Sequence, residues 1–187
     1  ITLSARSGYD APPSTPRALV AATGDPDGDW SHFGGTNQGR HFSQLNQIDR
    51  GNVAKLEKVW SIPMGPYDPK PMAQLQTVGL KAGDLLYNCT PLSDVIATEP
   101  ETGKTVWKFD AKSDVSGHFL SKCRGVGYYE VPDAVGACAK RIFVAATDER
   151  LLALNSVSGK LCEGFGLGGI VDLKRGIQVS CDVFFYE

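Results

Sequence analysis

Apolar residues in this chain come in short runs divided by polar, glycine-bearing turns. The longest runs, Ala18–Ala22 and Ile142–Ala146, hold five residues. A bilayer-crossing helix needs about 20, so the sequence predicts none. Runs of this length between turn residues are the signature of β-strands. Leu85-Leu86-Tyr87 and Val95-Ile96-Ala97 are two such runs, followed by the turn Glu101-Thr102-Gly103-Lys104. The same order returns 56 residues later. Arg141-Ile142-Phe143 falls on the first run and Leu151-Leu152-Ala153 on the second. Val157-Ser158-Gly159-Lys160 falls on the turn, and Phe165 on Phe109. Each copy reads as strand, polar turn, strand, glycine turn, strand, which is an antiparallel meander. The turn glycine is explained if its backbone takes a positive φ.

A meander that cannot bury both faces alone must stack on neighbours. Radial stacking of four-stranded sheets gives a β-propeller, and a sandwich of hairpins is the alternative from pattern alone. The spacing of 56 exceeds a typical blade of about 40–50 residues. The excess is assigned to 111–138, read as a long loop carrying Gly117, His118, Cys123, Arg124 and Gly125, because long loops on rigid scaffolds carry function. Residues 1–28 read as an extended arm or linker on their Pro, Gly, Ser and Ala content. Asn52 is placed to cap one helical turn, with Leu56, Val59 and Trp60 opening a strand after it. Gln178–Glu187 ends on an apolar, strand-like run. The first residue is Ile1 with no signal-peptide pattern behind it, so the chain is expected to be a processed or partial piece.

Gly at 21 and Pro at 11 of 187 residues fit a turn-rich fold. Hydrophobic residues at 42% and charged residues at 21% suit a packed core and exclude a disordered chain. A net charge of −2 provides no basic footprint for nucleic acid. Cys89, Cys123, Cys138, Cys162 and Cys181 stand at spacings of 34, 15, 24 and 19. None forms C-x-x-C, which disfavours a zinc ribbon or a thioredoxin-like site. They read as small buried residues, or as disulfides such as Cys123–Cys138 in an oxidising compartment.

Candidate chemistry is sparse. Gly164-Phe165-Gly166-Leu167-Gly168-Gly169 satisfies G-x-G-x-x-G, but no helical period follows it, so a turn between blades is expected rather than a dinucleotide site. His32, His41 and His118 have no partner at metal-ligand spacing and read as surface or turn residues. Neighbouring strand residues face opposite ways, so Asp148-Glu149 is a poor acid–base pair and reads as a turn.

One long stretch is more specific. Asp29-Trp30-Ser31-His32-Phe33-Gly34-Gly35-Thr36-Asn37 continues through Gln44-Leu45-Asn46-Gln47-Ile48 to Asn52-Val53-Ala54-Lys55-Leu56 and Trp60. With Gly83-Asp84-Leu85-Leu86-Tyr87-Asn88-Cys89-Thr90-Pro91, Cys123-Arg124-Gly125-Val126-Gly127-Tyr128-Tyr129 and Asp148-Glu149-Arg150-Leu151-Leu152-Ala153-Leu154-Asn155, it resembles the start of the periplasmic domain of membrane-bound quinoprotein dehydrogenases. These are the pyrroloquinoline-quinone (PQQ) dependent glucose, quinate/shikimate and polyol enzymes. The resemblance covers about Asp29 to Leu173.

It implies an all-β fold, part of an eight-bladed β-propeller of antiparallel four-stranded blades, with 29–187 its N-terminal blades. At about 45 residues per blade the ring is expected to be incomplete in this chain. It implies PQQ and a calcium or magnesium ion as cofactors, a sugar, cyclitol or polyol substrate, and ubiquinone as electron acceptor. It also implies a place at the periplasmic face of the bacterial inner membrane, with the membrane reached through a region outside this chain. Arg124, in Cys-Arg-Gly, matches an arginine at the cofactor site, where a guanidinium pairs with carboxylates. The family's histidine three residues before that cysteine is Leu120 here, and His118 lies two residues earlier. Gln76 stands where the family has a cofactor-site glutamate, the following Thr-Pro is missing, and Ala97-Thr98-Glu99-Pro100 replaces its Ala-Leu-Asp-Ala. The cofactor-binding candidates are therefore Arg124, Gln76 and His118. The family's base and metal ligands lie beyond Glu187, so no catalytic or metal residue is assigned. Gln76 and Leu120 also support a second reading, a non-catalytic PQQ-like propeller scaffold of the cell envelope.

Overall fold

The computed structural model describes residues 28–64 and 72–173. The arm 1–28, except Gly28, Cys181 and the run 178–187 lie outside them. Ten strands and one 3₁₀ turn, Val53–Lys55, are formed among the described residues. Strand β1 is Met72–Ala73, β2 Leu80–Ala82, β3 Leu85–Cys89, β4 Val95–Thr98 and β5 Thr105–Phe109. They are followed by β6 Leu120–Ser121, β7 Gly127–Glu130, β8 Lys140–Ala145, β9 Arg150–Asn155 and β10 Ile170–Asp172. Two four-stranded sheets result, β2-β3-β4-β5 and β7-β8-β9-β10, with every neighbouring pair antiparallel. The all-β expectation and the two meanders are thus present. β1 and β6 pair in parallel between them.

The repeat sets the first sheet over the second at β3 on β8 and β4 on β9. It breaks at the last strand. Past Lys104 the first copy continues as β5. Past Lys160 the chain bridges Leu161 to Leu154, turns at 163–165 and bridges Gly166 and Leu167 to Ile170 before β10 pairs with β9. The stretch 111–138 is not one loop, because it contains β6 and β7. Leu56–Trp60 joins no strand.

Trp60 instead takes part in a contact that occurs twice. In the first sheet the amide of Gly103 donates to Glu99 O at 2.9 Å and Glu99 N donates to Lys104 O at 2.9 Å. In the second, Gly159 N donates to Asn155 O at 2.9 Å and Asn155 N to Lys160 O at 2.7 Å. Both glycines sit at positive φ, +70° and +68°. The indole of Trp60 lies on Gly103 and donates to Pro100 O at 2.9 Å. The indole of Trp107, on β5, lies on Gly159 and donates to Ser156 O at 3.0 Å. Trp107 therefore ties the first sheet to the second. Tyr87 adds its hydroxyl to the same Ser156 carbonyl at 3.2 Å and packs its ring 6.0 Å from Trp107. One core runs through both sheets, from Val95 and Ala97 to Ile142, Val144 and Leu154.

Two disulfides staple the loops: Cys89–Cys123 and Cys138–Cys162. The expected Cys123–Cys138 pairing is not formed. β7 and the turn after it separate those two residues, while Cys123 lies over the end of β3 and Cys138 over the segment after β9. Asp148 and Glu149 form the β8–β9 turn, as expected. Arg150 grips Asp148 through Nε at 3.0 Å and Nη2 at 2.7 Å, then reaches the carbonyl of Ala111 at 2.8 Å. Asp148 also accepts from Asp114 N at 3.0 Å. This clip anchors the start of the 110–119 connection. Burial alone would raise the Asp148 carboxyl. Arg150 and the two backbone amides outweigh it and hold the group below its ordinary 3.8.

Two outcomes follow from these contacts. A Cβ on Gly159 would lie 2.5 Å from the Trp107 ring, in a backbone conformation unfavourable to other residues. Gly159→Ala in the full-length protein is expected to cost on the order of 2–4 kcal/mol. Gly83→Ala, at φ +58° with nothing within 4 Å, should cost about 1 kcal/mol. Equal shifts in denaturant midpoint would show that the indole contact is unimportant. For Asp148 the folded pKa is lower than the unfolded one, so its contribution is present above the ordinary 3.8 and is lost as pH falls through the folded value. Asp148→Asn should therefore speed amide exchange at Asp114 relative to wild type at pH 7, and the ratio should shrink as pH falls below 3.8 through the folded value. A ratio independent of pH would refute the assignment.

Candidate functional site

The connections that lead into the first strands of the two sheets run side by side. Residues 72–79 precede β2 and residues 120–126 precede β7, and β2 lies against β7. The parallel β1–β6 pairing starts this ladder. Gln74 N donates to Ser121 O at 3.0 Å, and Val78 N donates to Arg124 O at 3.0 Å beside a bridge from Val78 to Gly125. Gly125 is held at φ +154°, and a Cβ there would lie 3.2 Å from Val78 O, so the close approach of the two segments favours glycine.

In extended chain, successive side chains face opposite ways. Burial follows that alternation over 121–124, while Gln74, Leu75 and Gln76 are exposed in succession. Ser121 and Cys123 are buried, while Lys122 and Arg124 are exposed. Across the ladder, Thr77 is half-buried while Gln76 and Val78 are exposed. Gln76 and Arg124 are both exposed on this narrow two-segment platform, whose pairing shifts by one residue between Ala73–Ser121 and Val78–Gly125. The Gln76 amide donates to Gln74 Oε1 at 2.9 Å. Arg124 and Lys122 have no acidic partner among the described residues. An uncommitted guanidinium on an open face fits an anionic group, so this donor set suits a carboxylate-bearing cofactor. His118 is exposed in the turn before β6, its amide donating to Val115 O at 3.2 Å. The structure thus brings Gln76 and Arg124 onto one ladder and leaves His118 before it.

The inward side of the platform is fastened to the first sheet. The Cys123 sulfur is bonded to Cys89 at the end of β3. The Ser121 hydroxyl donates to Pro91 O at 2.7 Å. Thr77 Oγ1 lies 3.4 Å from Cys89 Sγ and accepts from Cys89 N at 3.4 Å. Sequence reasoning missed this fastening, since Cys spacing does not encode pairing. The alternation of small inward residues with Lys122 and Arg124 was its one visible sign.

A cavity of about 460 Å³ lies at the other end of β2. The Gly83-Asp84 turn, Tyr87 and Val106 line it from the first sheet, Tyr128 and Lys140 from the second. None of Gln76, His118 or Arg124 reaches it. Burial pushes the Tyr87 hydroxyl up to about 12, against the opposing effect of its bond to Ser156, with Asp29 and Asp84 adding to the rise. Burial also raises Tyr128, whose hydroxyl donates to Glu130 Oε1 at 2.5 Å. Glu130 is correspondingly lowered, by that bond and then by Lys140, 3.1 Å away. Both tyrosines stay neutral donors near pH 7; Tyr87 ties the first sheet to the second through Ser156, and Tyr128 bonds within its own strand.

Among the described residues no group of three His, Cys, Asp or Glu side chains is placed to hold a metal ion, and no helix is long and apolar enough to cross a membrane. His32 bonds Ser31 Oγ at 2.9 Å and His41 stands edge-on to Phe33. The G-x-G-x-x-G stretch forms a turn leading directly into strand β10, as expected.

Comparison with known proteins agrees with this fold. The profile of the PQQ "glucose/ethanol/alcohol dehydrogenase, beta-propeller domain" family matches residues 30–186. Quinoprotein glucose dehydrogenase of Escherichia coli (strain K12) is 34% identical over 175 residues, 88% of this chain and 22% of the relative. Quinate/shikimate dehydrogenase (quinone) of Acinetobacter baylyi is 30% identical over 79% of this chain and 20% of its own. The glycerol dehydrogenase large subunit of Gluconobacter oxydans is 32% identical over 84% of this chain and 22% of its own. The crystal structure of quinohemoprotein alcohol dehydrogenase from Comamonas testosteroni superposes with a TM-score of 0.58 at 26% identity, over 74% of this chain and 19% of that one. The chain spans about a fifth of the length of these relatives. Its two meanders are blades of a propeller, and the chain belongs to the PQQ-type glucose/ethanol/alcohol dehydrogenase β-propeller family.

Proposed function

We propose that this chain supplies blades of a PQQ-dependent dehydrogenase that oxidises a hydroxyl of a sugar, quinate or shikimate, or a polyol. The observation that carries the reading is the ladder that brings the exposed Gln76 and Arg124 onto neighbouring segments. Relatives named as glucose, quinate/shikimate and glycerol dehydrogenases support the substrate range. Bound PQQ, with a calcium or magnesium ion, supplies an electrophilic quinone that takes the two electrons of the alcohol. Arg124 binds and orients a cofactor carboxylate through paired N–H donors. Gln76 offers an amide where a glutamate would carry charge, so it adds a hydrogen bond without repelling an anion. His118, exposed in the turn before β6, is the third candidate and would need that turn to shift to reach the cofactor. Electrons leave to ubiquinone, and the protein works at the periplasmic face of the inner membrane, with its membrane contact outside this chain. Two disulfides favour that oxidising compartment over the cytosol.

A second reading is a non-catalytic PQQ-like propeller that scaffolds assemblies in the cell envelope. Gln76 and Leu120 favour it, as neither is the residue that cofactor-binding relatives are expected to hold there. Titrating PQQ, with calcium, into the full-length protein separates the two. On the enzyme reading wild type binds and reduces dye with glucose, quinate or glycerol. Arg124→Ala then weakens PQQ about 10–100-fold, the worth of a lost hydrogen bond to a charged group. Absence of PQQ binding by the wild type would establish the scaffold.

A further inference from the structure

Cys89 lies at the meeting point of both platform segments. It is fully buried at the end of β3. Cys123, the neighbour of Arg124, is bonded to it, and Thr77, the neighbour of Gln76, contacts both its sulfur and its amide. Two residues before Cys123, the fully buried Ser121 is held to Pro91 O by its hydroxyl. Inward and outward residues alternate strictly over 121–124, so Arg124 cannot turn or slide without withdrawing Cys123 from the core.

We propose that the Cys89–Cys123 disulfide, assisted by Ser121, is a positioning clamp for cofactor binding. It fixes the register of Arg124 against Gln76 across the ladder, and so sets where the guanidinium meets its anion. The proposal rests on the reading of Arg124 as a cofactor ligand. The clamp touches no reacting group and acts through Arg124. Preorganising one charged donor on an extended segment matters because an untethered segment must be ordered at the moment of binding.

The second disulfide supplies the control. Cys138–Cys162 also closes a loop, with a sequence separation of 24 against 34, but it joins the 131–139 turn to the segment after β9, away from the platform. A loop-closure effect on stability should be similar for the two. An effect on cofactor register belongs to the first alone.

The test is a double-mutant cycle in the full-length protein, read by quenching of tryptophan fluorescence with PQQ in the presence of calcium. C89S/C123S is expected to raise the Kd for PQQ about tenfold or more, while C138S/C162S changes it less than about twofold. On an Arg124→Ala background, C89S/C123S should add less than about twofold, because the clamp then has nothing to position. Equal effects from the two cysteine pairs, or full additivity with Arg124→Ala, would overturn the clamp. If C89S/C123S does not fold, Ser121→Ala provides the second arm. It should weaken PQQ severalfold in the wild-type background and leave the Arg124→Ala protein unchanged; no change in either background overturns the proposal. A wild type that binds no PQQ would remove the dehydrogenase reading and the clamp together. A wild type that binds tightly, and does so equally without the disulfide, removes the clamp alone.

Discussion

The contact between an indole and a bare glycine backbone is what the rest of the fold depends on. Trp107 leaves the last strand of one sheet and lies flat on Gly159 of the next, its N–H satisfied by Ser156 O. Neither sheet buries both of its faces alone, so the contact converts two marginal meanders into one core. It works only if the turn takes a positive φ, which glycine does at little cost, and only if no Cβ intervenes. Trp60 on Gly103 repeats the arrangement one sheet earlier. The result is a repeated rule along the chain: each of the two sheets receives a tryptophan from before it, and the first sends Trp107 on to the second.

That rule sets the platform. Because β5 is fixed by Trp107, the chain must cross back from the far edge of the first sheet to begin β7 beside β2. The crossing is 110–126, held at its start by Arg150 and Asp148 and near its end by Ser121 and Cys123. The parallel ladder with 72–79 is where two such crossings meet, and Lys122 and Arg124 face outward there because Ser121 and Cys123 face inward. The opposite end of the sheets holds the cavity lined by Tyr87 and Tyr128, whose hydroxyls burial raises further above neutral pH.

Much of this was legible from residues. The Thr-Gly-Lys and Ser-Gly-Lys turns, with apolar runs at equal distances before them, gave away β3, β4, β8 and β9. The first strands were hidden because β2 and β7 hold three and four residues, too short for a period to register. Trp60 suggested a strand because aromatic residues favour strands, whereas its ring serves a tertiary contact 40 residues away. The last strand of the second sheet moved because glycines at 164, 166, 168 and 169 interrupt the copy that β5 continues. Cysteine pairing depends on which loops the propeller brings together, and spacing carries none of that. Arg124 and Gln76 were visible as candidates only by resemblance; that they share a ladder is a fact of topology.

Anchoring the crossing at two separate places has a consequence for how the family can vary. Residues 115–119 lie between the Arg150 clip and the Ser121 anchor, with both ends held independently of what joins them. Adding residues to a tethered loop costs little, since closure entropy grows only with the logarithm of length. Insertions there can reshape the rim of the platform while Arg124 keeps its register. A lineage can thus remodel what approaches the site without relearning how to build it.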